Sequence, residues 1–308
     1  MDWRIKGVIQ KALSFAPFGA RVHHQLQRRG GLRRFGKECD IKVEDWTFMI
    51  DHLRRAGVSI VGRSLVEIGA GWYPTLPVCC WLAGAATVTT FDLSRHLQRD
   101  LVEQLAERLR RHVPTIAQAN KLSEGVVEAK RARFAKAIAQ GAELDDATDH
   151  AIRYRAPVDF TRSGLPEASV DLVFSNSVLE HVPADVLPPM FEETKRILKP
   201  GAATFHSINC GDHYAYFDPE VSQLHYLKFS EAEWRVWNND FQYQNRLRAP
   251  EFLRIAREAG LVIEFDGSIV HPVRLAELDA VDVHPMFARY TREEQSVTSV
   301  DMVATKPR

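Results

Sequence analysis

From residue 64 onward, short apolar runs alternate with stretches of helical periodicity. The runs fall at 64–68, 87–91, 170–175, 202–208, 261–265 and 297–304, with helical segments between most of them. Strands that alternate with helices predict an α/β fold, a mainly parallel sheet with helices on both faces. Pro200-Gly201 marks a sharp stop behind a helix that ends near Leu198.

The flanks and connections differ from this pattern. Residues 1–60 read as a helical extension ahead of a main domain at 61–308. Trp46, Met49, Ile50 and Leu53 stand at i, i+3, i+4 and i+7, one helical face. The earlier stretch, 2–37, is basic and carries Trp3, Val8, Ile9, Leu13 and Phe15. Such a helix can lie on an anionic membrane surface, but packing on the core is the expectation. Two connections exceed what a simple crossover needs. The first, 94–155, reads as a helical insertion that caps the fold or mediates homodimerisation. Its Leu97, Leu101, Leu105 and Leu109 form an i, i+4 stripe broken after Val113 by Pro114, and a second helix covers 126–140. The second, 209–248, is crowded with Tyr214, Tyr216, Phe217, Tyr226, Phe229, Trp234, Trp237, Phe241 and Tyr243. It reads as an aromatic lid over a ligand. Arg246 and Arg248 either hold an anionic group of that ligand or bridge within the lid.

Formal net charge is zero, which argues against nucleic acid as a partner. No apolar run reaches the roughly 18–20 residues that span a bilayer, and no signal core opens the chain. Cys39, Cys79, Cys80 and Cys210 show no CxxC spacing, so reduced thiols in the cytoplasm are expected.

The first strand runs into a glycine turn, LVEIGAGWYPTLP, at 65–77. A dinucleotide site wants GxGxxG there, so that bare backbone meets the pyrophosphate. The third glycine position holds Pro74, which donates no N–H and brings a ring. No GxxxxGK[ST] occurs elsewhere. The order acid-x-Gly-x-Gly, Glu67 to Gly71, suits S-adenosylmethionine better: glycine lets backbone approach the methionine part, and an acid suits its cationic groups or fixes the loop. Asp92 ends the second strand, about 20 residues on, where an acid accepts from ribose hydroxyls. That acid is shared with nicotinamide enzymes and does not discriminate.

VEIGAG, TTFDLS, PVDF, VDLVFSNSVLEHV and ETKRILKPGAATFHSI, in this order over 64–208, resemble the motifs of class I S-adenosylmethionine-dependent methyltransferases. The resemblance implies a Rossmann-like, seven-stranded, mainly parallel sheet with an antiparallel last strand. It implies S-adenosylmethionine as cofactor and S-adenosylhomocysteine as product. By motif, Glu67, Gly69, Ala70 and Gly71 take the methionine end, and Asp92 with Leu93 the ribose. Asp159 takes the adenine amino group and Phe160 lies beside the ring. Ser175 and Asn176 sit at the fourth strand's tip, next to the methyl. SFAPFGARVHHQLQ, HYLKFS, NRLR and EFLRIAREAG look like a bacterial subgroup associated with glycan or natural-product clusters. Many relatives have a third glycine where this chain has Tyr73. Metal-using members place a glutamate three residues before a Glu-His pair. Ser177 stands there, so no metal is expected at Glu180 and His181.

A hydroxyl acceptor must lose a proton, and histidine is the default base. His181, His206, His213 and His225 fall near the expected site. His213 is preferred, with Asp212 beside it in CGDH to orient the ring; His206 and His181 are the alternatives. The expectation is O-methylation of a sugar-containing or small natural-product acceptor. N-methylation is the near rival. A nicotinamide-dependent oxidoreductase and a non-catalytic binding module are the distant ones.

Overall fold

The computed structural model describes residues 2–15, 19–239 and 243–308, with side chains outside 13–33. The readings placed on the side chains of Leu13, Phe15 and the stretch SFAPFGARVHHQLQ, and on Phe241, lie outside the described residues and side chains. Helices α1 (Trp3–Phe15) and α2 (Gly19–Arg55) precede β1 (Ser64–Ile68), α3 (Thr75–Leu82) and β2 (Thr87–Phe91). Helices α4 (Arg99–Arg108), α5 (Val113–Ala119), α6 (Glu124–Ala139) and α7 (Leu144–Ala147) lead into β3 (Ile152–Arg155). Then come β4 (Val170–Asn176), α8 (Leu187–Ile197) and β5 (Leu198–Asn209). The chain closes through α9 (Glu231–Trp237), α10 (Ala249–Glu258), β6 (Val262–Asp266), α11 (Pro272–Glu277), α12 (Arg292–Ser296) and β7 (Ser299–Thr305).

The seven strands form one sheet in the order β3-β2-β1-β4-β5-β7-β6. Strands β1 to β5 pair in parallel, and β7 runs antiparallel to both β5 and β6. This is the expected sheet with its antiparallel last strand. Alternation along each strand divides the core. Leu65, Leu172 and Phe174 join the layer holding Trp46, Met49 and Leu53 of α2. Val66 and Val173 join the opposite layer with Phe191 and Phe252. The helical face read from 46–53 is buried throughout.

Two readings of the first connection need correction. It contains a strand, β3, which the insertion reading took as helical. Its IRYR buries only Ile152 fully, so it shows no apolar run. Pro114 starts a helix instead of breaking one, since it occupies the first turn of α5, where proline loses no hydrogen bond.

A third cluster gathers the aromatics of 209–239 around α1. Trp3 packs against Tyr214, Phe229 and Trp237, with centroids 5.3, 6.0 and 4.6 Å away. Its backbone N–H donates to Asp218 at 3.0 Å. Tyr214, Tyr226 and Trp234 are 1 % exposed, so most of the lid's rings hold the lid itself together. On the outer side of α1, Ile5, Val8 and Ile9 are exposed. No helix among the described residues is long and apolar enough to cross a membrane. All four cysteines are free and buried.

Candidate functional site

The sheet order reverses between β1 and β4, and ligands of such sheets sit beyond the carboxyl ends of the strands at that point. A cavity of about 470 Å³ opens there. Its floor is the glycine turn with Asp92. One wall is Asn176, Ser177, Val178 and His181, following β4. The other is Glu38, Ile41, Lys42 and Asp45, on α2.

The turn is shaped by its glycines. Gly69 has φ +84°, and a methyl added to it would stand 2.6 Å from Val178 Cγ2. Its N–H donates to the Phe91 carbonyl at 2.8 Å, tying the turn to β2. The Gly71 N–H donates to Asp92 Oδ2 at 3.2 Å. Burial pushes the Asp92 carboxyl up to about 6, against the Tyr154 hydroxyl and the Gly71 amide, which favour the charged form. Ala70 lines the cavity beside them. Glu67 lies beneath the turn, 3 % exposed, and its Oε2 accepts from the Thr90 hydroxyl at 2.6 Å. Burial holds its carboxyl above the usual range, while Lys42 favours the charged form. Glu67 thus links β1 to β2 beneath the turn and does not line the cavity.

At the tip of β4, Ser175 and Asn176 part company because side chains alternate along a strand. Asn176 faces the cavity, and its Nδ2 donates to Asp45 Oδ2 at 3.0 Å. Ser175 faces inward, 2.7 Å from His206 Nδ1. The other ring nitrogen of His206 stands 2.8 Å from Thr204 Oγ1. The ring is 1 % exposed and burial pushes it down to about 3. His206 is therefore closed off inside the sheet, which corrects its reading as a base. Asp159 caps a 3-10 turn, its Oδ1 accepting from the Thr161 N–H and hydroxyl at 2.9 and 2.8 Å. Phe160 is buried edge-on to Phe91. Leu93 is 75 % exposed. None of these three lines the cavity.

The Asp212–His213 pairing is also corrected. Asp212 Oδ1 accepts from the Tyr214 N–H at 2.8 Å, and its Oδ2 stands 2.9 Å from His225 Nδ1. His213 turns to His181 instead, with ring centroids 4.9 Å apart. Burial, reinforced by His181 and Lys6, pushes His213 down to about 3. Beside the two rings, Glu180 is 2 % exposed and burial pushes its carboxyl up to about 8.

Arg246 and Arg248 are spent on the fold. Arg248 is fully buried and donates to the carbonyls of Cys210, Gln295 and Val297 and to the Tyr226 oxygen. Arg246 donates to the Tyr226 and Phe229 carbonyls and to Glu231. Neither reaches the cavity.

The α2 wall was missed by sequence reasoning. Its signal was present, since 38, 41, 42 and 45 are spaced i, i+3, i+4, i+7 and carry three charges on one face. Burial lowers the Lys42 pKa, and its Nζ stands 4.4 Å from the Tyr73 ring centroid. Asp45 is raised by burial, with the Asn176 amide opposing. The arrangement fits the expected S-adenosylmethionine. Bare backbone sits at Gly69 and Gly71, an acid stands at the ribose position, and the cavity has the volume of a cofactor site.

A family model described as a methyltransferase domain matches residues 43–264, well over half of the chain. No curated protein matches the sequence. Among solved structures, geranyl diphosphate C-methyltransferase from Streptomyces coelicolor A3(2) is similar at 16% identity, covering 89% of this chain and 83% of that one, with a TM-score of 0.47. An S-adenosylmethionine-dependent methyltransferase from Mesorhizobium loti is similar at 17% identity, covering 83% and 96%, with a TM-score of 0.45. Neither likeness bears on the acceptor.

Proposed function

The chain belongs to the methyltransferase-domain family, and from that premise we propose that it carries a methyl group from S-adenosylmethionine to a hydroxyl oxygen of a small, ring-containing acceptor. One observation carries this reading. Asp45, a partly buried carboxylate held by Asn176, faces the same cavity as the glycine turn and Asp92. A proton acceptor thus stands on the wall opposite the cofactor floor.

Bound S-adenosylmethionine supplies a methyl on a positively charged sulfur, which an acceptor displaces in line. The rest falls to the chain's own residues. Gly69 and Gly71 admit the methionine part, Asp92 accepts from ribose hydroxyls, and Asn176 fixes Asp45. Holding the acceptor in line contributes up to about 7–11 kcal/mol of barrier lowering in favourable cases. Asp45, raised toward the acceptor's needs by burial, takes the hydroxyl proton. Tyr216, 59 % exposed and 5.5 Å from the His213 ring, offers a face for a sugar or flat ring beside the histidine turn. Four buried reduced cysteines suit a cytoplasmic site.

The test has two stages. Calorimetry with S-adenosylhomocysteine should show one site per chain. Incubation with S-adenosylmethionine and a panel of phenols, sugars and amines, followed by mass spectrometry, should place the new methyl on oxygen. Methylation confined to amines would replace the oxygen reading with nitrogen. Failure to bind S-adenosylhomocysteine would leave only a binding module.

A further inference from the structure

Glu180, His181 and His213 bring three ligand atoms within 4.8 Å of one another. The first two lie on the turn Leu179–His181 after β4, and the third opens the turn His213–Tyr216 after β5. Strands β4 and β5 are neighbours, so the turns that follow them meet. Among the described residues both oxygens of Glu180 lack a well-aligned hydrogen-bond partner, with only the backbone amides of Glu180 and Asn209 bearing on the carboxyl, although the residue is 98 % shielded from solvent; His213 Nε2 is likewise buried and unpartnered. Buried polar atoms are normally satisfied, so unsatisfied atoms on two residues of one cluster need a reason.

The surroundings are built to hold the three side chains. Residues 243–245 secure them in succession. The Tyr243 carbonyl stands 2.6 Å from His181 Nδ1, which makes that nitrogen the protonated one and leaves Nε2 a free lone pair. Gln244 Oε1 accepts from the His213 N–H at 3.0 Å. Asn245 Nδ2 donates to the Leu179 and Val182 carbonyls at 2.7 and 2.9 Å, and its N–H donates to the Glu180 carbonyl at 2.9 Å.

Against the expectation drawn from Ser177, we propose that Glu180, His181 and His213 form a divalent-cation site with a preference for zinc-like ions, His213 supplying the third ligand that residue 177 does not. Two imidazoles and one carboxylate suit Zn²⁺ or Co²⁺ and not Mg²⁺, which demands a shell of oxygens. Ligands at ~2.1 Å in tetrahedral directions stand about 3.4 Å apart, so the side chains close in slightly around the ion. Three protein ligands leave one position open. His181 also lines the cavity, so an ion held there would border the acceptor end and would offer its fourth position to an acceptor oxygen. This last role rests on the methyl-transfer reading; the binding of the ion does not.

The test uses the full chain, stripped with a chelator and titrated with Co²⁺ while visible absorption is followed. One equivalent should bind, excess Zn²⁺ should displace it, and Mg²⁺ should not. Glu180→Gln, His181→Gln and His213→Gln should each weaken Co²⁺ binding at least about tenfold. Melting temperature checks that each variant is folded, and His181→Gln, on the exposed wall, keeps the test open if a buried variant is not. No uptake by the folded wild-type chain, or equal uptake by folded variants, overturns the site. S-adenosylhomocysteine affinity, measured in parallel, separates the two proposals: its loss sinks the methyl-transfer reading while leaving the cation titration standing.

Discussion

Asp45 and Asn176 show how much a single hydrogen bond between elements can decide. The pair joins α2 to the tip of β4 across 131 residues of sequence. Asp45→Asn keeps the shape and removes the proton acceptor. Turnover should fall about 10²–10⁴-fold, with S-adenosylhomocysteine affinity within threefold of wild type; steady-state kinetics beside calorimetry decide, and unchanged turnover removes Asp45 from the role. Asp92 titrates where it can be followed. Burial pushes its carboxyl up to about 6, so cofactor affinity should weaken as pH drops below that, when the acid no longer accepts as a carboxylate. The linkage to stability has a definite sign. A carboxyl raised on folding contributes stability that is full below its ordinary value of about 4 and lost as pH rises through 6. Asp92→Asn should therefore stabilise the ligand-free protein more at pH 8 than at pH 5 in thermal melts. What was legible at this scale was local: Gly69, Gly71 and Asp92 follow from one turn and one strand tip. What was not legible was direction. Asp212 and His213 are adjacent in the chain yet turn to different partners. Ser175 and Asn176 are adjacent on a strand and so face opposite ways.

Among the elements, α2 does more than its apolar periodicity suggested. One face, from Trp46 to Leu53, is core, and another, from Glu38 to Asp45, is cavity wall. Lys42 is its one cation on that wall. Charge-assisted contacts contribute about 1.5–3 kcal/mol, so Lys42→Met should weaken S-adenosylhomocysteine binding about 10–100-fold if the ammonium meets the ligand's carboxylate. Calorimetry with adenosine, which lacks that carboxylate, should show no difference between wild type and variant. Strand β3 escaped notice for the opposite reason: an edge strand of four residues with one buried side chain has no periodicity to read. Pro114 was misread because its effect depends on position within a helix, and only the structure shows it in a first turn.

At the scale of the whole molecule, the sheet was legible almost entire. Buried parallel strands carry continuous apolar runs that a sequence cannot conceal, and β1, β2, β4 and β5 lie within a few residues of where those runs fall. The third cluster was harder, because its core is assembled from distant pieces. Trp3 enters a socket formed by residues more than two hundred positions later. Truncating a buried tryptophan costs roughly 3–5 kcal/mol. Trp3→Ala should raise amide hydrogen exchange across 213–237 while leaving β1 and β4 protected, as mass spectrometry of peptic fragments would show. Uniform exchange across both regions would mean that the cluster and the sheet open as one unit.

That socket ties the chain's first helix to the lid. Lys6 of α1 lies 2.8 Å from the Phe217 ring centroid and bears electrostatically on His213, so moving α1 changes the charge beside the histidine turn. A bulky group that displaces this helix should therefore be felt at the His213 turn.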